Sequence, residues 1–175
     1  MGFLNLKKKT AYKFIKNQAN KAKPDLENNT KSIERVGVIA GTGLYLAYDF
    51  TKGLSQKLGL DQSDIHLCLY NENDRSSDLI EGCQVSDKDF GLYGKIKSRE
   101  LNLFLNRKMD LLINYCDPEA VFTQVITARS KASYKAGFDH EDGLFYDIAI
   151  KIEGNKIDTF NTELVKYLKI LKLIN

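Results

Sequence analysis

The sequence lacks most features that would assign it a chemistry at sight. It has only three cysteines, an odd and sparse count that argues against a disulfide framework and for a reducing, cytoplasmic compartment. No CxxC or HExxH occurs, and Cys83, Cys116 and His140 show no ligand spacing, so no metal is expected. There is no GxSxG and no P-loop lysine. No apolar run approaches the roughly 18 residues that would span a bilayer. The opening Met1–Leu6 is too short for a secretory hydrophobic region, and its lysines follow the apolar piece. Internal repeats and low-complexity tracts are also missing.

What remains is a globular composition: 175 residues, 43% apolar and 28% charged. That length suits one domain able to bury its own core. The net charge of +3 hides an asymmetry. Residues 1–24 hold Lys7, Lys8, Lys9, Lys13, Lys16, Lys21 and Lys23 and no acid, while the rest carries 19 basic and 23 acidic groups. A +7 segment on a mildly acidic body reads as an arm with an anionic partner. Leu4, Ala11, Ile15, Ala19 and Ala22 recur at helical spacing, with Lys9, Lys13, Lys16 and Lys23 opposite and Pro24 as a stop. Such a helix docks on its own domain, on phosphates, or on an anionic membrane. Its alanines offer little area to a membrane.

Residues 25–34 read as a linker and 35–175 as one α/β domain. Val36–Ala40, Ile65–Tyr70 and Met109–Tyr115 are apolar runs of strand length. Gln84–Ser86 and Phe145–Ile152 read as further strands. Helices are expected over Leu44–Leu58 with Gly59 as stop, and from Ser98 as N-cap through Arg107. A helix over 118–136 follows, capped by Asp117 and stopped by Gly137, and another spans 158–173. This alternation predicts a three-layer, Rossmann-like, mainly parallel sheet with an N-terminal basic amphipathic helix.

Gly41-Thr42-Gly43 falls where the first strand meets a helix, a place suited to an anion, although a structural tight turn needing glycine explains it too. With Asn71 and Asn114, these residues mark the carboxyl edge of the sheet, where open α/β folds take small molecules such as nucleotides or sugars. Asn114 and Tyr115 also serve to close a turn. The carboxylate pairs Asp87/Asp89 and Glu141/Asp142 read as solvated loop residues. Arg129, Lys131 and Lys135, and separately Lys166, Lys169 and Lys172, form further basic stretches. Joined to the arm on one face, they would make a phosphate-sized patch.

The segments Met109–Tyr115, Ser130–Phe138 and Phe160–Leu171 resemble an uncharacterised family of small proteins common in Bacteroidota, over nearly the whole chain. That resemblance implies a cytoplasmic bacterial protein and no activity. A shorter stretch resembles the N-terminal half of heptosyltransferase-type glycosyltransferases. It joins a strand of the "DLLIN" kind to a helix ending in Ala132, Lys135 and Gly137. The donor-binding half of such enzymes is missing, so it implies fold and counts against activity. The resulting expectation is a non-enzymatic accessory module without cofactor. It docks on ribosomal or other structured RNA through the seven lysines. A protein partner, a sheet-edge ligand and a membrane surface are the alternatives.

Overall fold

The computed structural model describes residues 2–19, 32–72, 82–139, 146–152 and 156–175. Six strands form one sheet in the order β3-β2-β1-β4-β5-β6, and every pairing between them is parallel. They are β1 (Val36–Gly41), β2 (Ile65–Asn71), β3 (Cys83–Ser86), β4 (Leu111–Asn114), β5 (Tyr134–Phe138) and β6 (Ile148–Ile150). The helices are α1 (Phe3–Ala19), α2 (Thr42–Ala47), α3 (Phe50–Leu58), α4 (Arg99–Leu105), α5 (Val121–Arg129) and α6 (Ile157–Ile170). The order is that of a doubly wound Rossmann-like sheet, with its switch point between β1 and β4.

Strand alternation builds two cores. Val36, Val38 and Ala40 of β1 join Phe50 and Leu54 of α3 and Phe160, Leu164 and Leu168 of α6 on one face. Ile39 and Cys68 join Ala11 and Ile15 of α1, Leu101 and Phe104 of α4, and Phe122, Val125 and Ile126 of α5 on the other. The expected three layers are therefore present.

Several local expectations need correction. The Leu44–Leu58 helix is two helices, because Tyr48 is extended and Asp49 caps the second, accepting from the Lys52 N–H at 3.0 Å. Gly59 stops it in the left-handed region at φ 70° as expected. The helix over 118–136 is shorter: α5 begins after Ala120 and ends at Arg129. Asp117 does not cap it; its carboxylate accepts from the Glu119 N–H in a local turn. Gly137 is not a helix stop but a strand residue, paired with Asn114 and Ala149. Glycine is needed there because a Cβ would come within 2.2 Å of Cζ of the buried Tyr146 ring. The helix end that carried the glycosyltransferase likeness is thus absent: Lys135 and Gly137 lie in β5.

Asp87 and Asp89 are also not solvated; they are 6% and 3% exposed. Asp89 accepts from the Ser86 N–H at 2.8 Å in a reciprocal capping box, which repays its burial. Glu141, Asp142, Phe145, Ala22, Lys21 and Lys23 lie outside the described residues. No described helix is long and apolar enough to cross a membrane.

Candidate anion-docking surface

α1 lies against α5 and the tight turn Leu92–Gly94. Ala11 and Ile15 point inward as the periodicity predicted, but Leu4 is exposed and Lys7 is buried in its place. The docking is close because Gly94 has no side chain. Its φ is +65°, and a Cβ there would approach Val125 to 2.9 Å and Phe14 to 3.3 Å. Tyr93 beside it is left-handed at φ 56°, and its N–H donates to the Thr10 hydroxyl at 3.0 Å. A non-glycine residue held there costs free energy that the helix contact must offset.

The lysines divide into two sets. Lys7 donates to the Asp87 carbonyl at 3.4 Å, with its ammonium 5.3 Å from the centre of the Phe3 ring. Lys8 donates to Glu72 at 2.6 Å and lies 3.8 Å from Asp87 Oδ2. Both ammoniums have partners within the body. Lys9, Lys13 and Lys16 are exposed and form no ion pair among the described residues; Lys16 lies 4.8 Å from the Tyr12 ring centre.

A depression of about 320 Å³ opens beside the end of α5, lined by Lys95, Ile96, Asn102, Leu105, Asn106, Arg129 and Lys131. Its lining holds three cations and no carboxylate. Arg129 donates through Nε to the Gly94 carbonyl at 2.9 Å. Its guanidinium lies 4.4 Å from the centre of the Phe14 ring of α1. Arg129 therefore touches both the depression and the arm helix, its planar guanidinium set over an aromatic face. The other basic stretches do not join it. Lys135 is half-buried in β5, where burial lowers its pKa, and Lys166 and Lys169 are on α6 across the sheet.

At the carboxyl edge, Asn114 is fully buried and already committed. Its amide donates to Thr123 and Thr127 at 3.3 Å each, and its oxygen accepts from the Cys116 N–H at 3.0 Å. The Tyr115 hydroxyl donates to Asn161, whose amide donates to Tyr48 at 3.1 Å. Gly41 has an ordinary φ of −68°. A Cβ at Gly43 would meet nothing within 4 Å, and one at Gly41 only the Tyr70 carbonyl at 4.0 Å. The turn does not need glycine at either position, contrary to the tight-turn expectation. Thr42 and Asn71 lie half-buried at the ends of β1 and β2.

One family model matches residues 7–171. The chain belongs to DUF6913, a family of unknown function. The DUF6913 span begins within α1 and takes in Lys95, Arg129 and Lys131. No curated protein and no solved structure matches the chain significantly.

The sequence reading missed Lys95 of this surface and the burial of Asp87. Lys95 sits among short turns without periodicity, and no sequence signal places it beside Arg129. Asp87 could have been suspected from Ser86 and Asp89, whose spacing is that of a capping box. Burial raises the Asp87 pKa, against the opposing influence of the Tyr70 hydroxyl that donates to it and of Lys8. The folded state therefore holds the proton more tightly than the unfolded chain. Asp87's contribution to stability is fullest below the ordinary aspartate value of 3.8 and is lost as pH rises through the folded value. Asp87→Asn keeps an acceptor for Tyr70 and removes this titration. Urea midpoints of the variant are expected to vary less than wild type between about pH 4 and 7. Identical pH profiles would rule this out.

Proposed function

We propose that the protein is a binding module that docks on structured RNA, with ribosomal RNA the first candidate. Its docking surface combines Lys9, Lys13 and Lys16 of α1 with the depression formed by Lys95, Arg129 and Lys131. The observation that carries this reading is the stacking of Arg129 on Phe14, which joins the helix and an acid-free cationic depression. Lysine and arginine contacts to phosphates supply affinity without reading sequence. The exposed ring of Tyr93 beside α1 offers a face for an unpaired base. Lys7 and Lys8, held by the body, fix the helix instead of meeting the partner.

The test is fluorescence polarisation of a labelled structured RNA between about 50 and 200 mM salt. Wild-type affinity is expected to fall steeply over that range. The triple variant Lys95→Glu, Arg129→Glu, Lys131→Glu is expected to weaken binding about a hundredfold or more and to flatten the salt slope. Circular dichroism verifies that it folds. Unchanged binding by the triple variant overturns the proposal, as does flotation with anionic vesicles without RNA binding.

A second reading, a small-molecule site at the carboxyl edge, rests on Gly41 and Gly43, which the backbone does not require. Thermal-shift screening against nucleotides and sugars tests it; a hit must be lost on Gly43→Val.

A further inference from the structure

β2 and β3 are parallel, and their register sets Cys68 directly beside Cys83. Both side chains leave the same face of the sheet, and their sulfurs lie 3.2 Å apart. Neighbouring strands run about 4.8 Å apart, within the span a disulfide bridges. Closing the bond needs an approach of only about 1.2 Å, to the usual S–S length of about 2.04 Å. β3 can supply that movement, because it is an edge strand of four residues with a neighbour on one side only.

The two sulfurs differ in access. Cys68 is fully buried. Cys83 is partly exposed and lines a depression of about 390 Å³ with His66, Gly82, Leu103, Phe104 and Arg107. A small thiol reagent therefore meets Cys83 first, with Cys68 waiting behind it. This is the arrangement of an attacking thiol and a resolving thiol.

We propose that Cys68 and Cys83 form a dithiol–disulfide pair that low-molecular-weight disulfides oxidise through the Cys83 opening. The Cys83 thiolate attacks one sulfur of the reagent, forming a protein–reagent disulfide and expelling one reagent thiolate. Cys68 then gives up its proton and attacks the Cys83 sulfur, closing the intramolecular bond and expelling the second reagent thiolate. The two thiol protons end on the two released thiols, and the reagent disulfide is the species reduced. The hydrogen bond between the sulfurs and full burial hold the Cys68 thiol well above its ordinary pKa, so the second step is the slow one at neutral pH. Cys116 is buried and stands outside the pair.

The test exposes the full-length, folded protein to oxidised glutathione and follows free thiols, intact mass and the peptide map. Wild type is expected to lose two of its three thiols, passing through a transient glutathione adduct to a Cys68–Cys83 crosslink, with Cys116 still free. Cys68→Ser is expected to stop at a stable adduct on Cys83. Cys83→Ser is expected to keep both remaining thiols reduced. Retention of all three wild-type thiols overturns the proposal. So does an adduct on Cys83 that never resolves, or crosslinking only between molecules. The wild-type map decides the matter even if a serine variant fails to fold, and no outcome depends on RNA binding.

Discussion

Phe160→Ala is expected to cost about 4 kcal/mol, a large share of the roughly 5–15 kcal/mol that stabilises a domain. Phe160 is fully buried on α6. Its ring centre lies 5.1 Å from that of Tyr115 after β4 and 4.9 Å from that of Phe138 in β5. Truncation therefore removes the transfer free energy of a whole ring and two aromatic pairs, and leaves a cavity between α6 and the sheet. The adjacent Asn161, which accepts from the Tyr115 hydroxyl, would lose the packing that orients it. Urea unfolding should show a midpoint shift with unchanged slope, and the thermal midpoint should fall by roughly 8–16 °C. A loss below about 1.5 kcal/mol would mean that this core collapses around the gap and is not packed as described.

The second large effect is expected at Gly137. Alanine there drives a methyl group to within 2.2 Å of the Tyr146 ring, and overpacking of a rigid site costs about 3 kcal/mol. The cost should depend on the ring. In a double-mutant cycle with Tyr146→Leu, the pair should be less destabilised than the sum of the single variants by at least about 1 kcal/mol. Gly137→Asn separates this account from a helix-stop role. Asparagine is tolerated at a left-handed cap but not beneath an aromatic ring. Additive single effects, or a harmless Gly137→Asn, would contradict the strand placement.

Gly137 also shows why part of the fold escapes a sequence reading. The sequence Arg129–Gly137 has cations followed by glycine, the local chemistry of a helix C-terminus. Nothing nearby reveals the ring of Tyr146, which fixes the glycine's role from just before β6. The end of Phe50–Leu58 and the start of Arg99–Leu105 were legible because their signals are local: Gly59 stops the first helix, and the Ser98 hydroxyl, accepting from the Leu101 N–H at 3.1 Å, caps the second. The helix break at Tyr48–Asp49 was missed because apolar spacing continues across it. Gly53 there lets the Tyr48 ring lie on α3, where a Cβ would meet the hydroxyl at 2.6 Å.

By itself the sequence determined the layered, mainly parallel architecture, the apolar strands that became β1 and β4, and the amphipathic character of α1. Those follow from the periodicity of apolar residues, a property carried by neighbours along the chain. Only the tertiary structure decided which lysines are spent. Lys8 meets Glu72 across 64 positions and Lys7 meets the Asp87 carbonyl across 80, leaving Lys9, Lys13 and Lys16 outward. It likewise brought Arg129 to Phe14 and Cys83 to Cys68. Charge and thiol chemistry depend on separations of a few ångströms in space, and no periodicity along the chain encodes those distances.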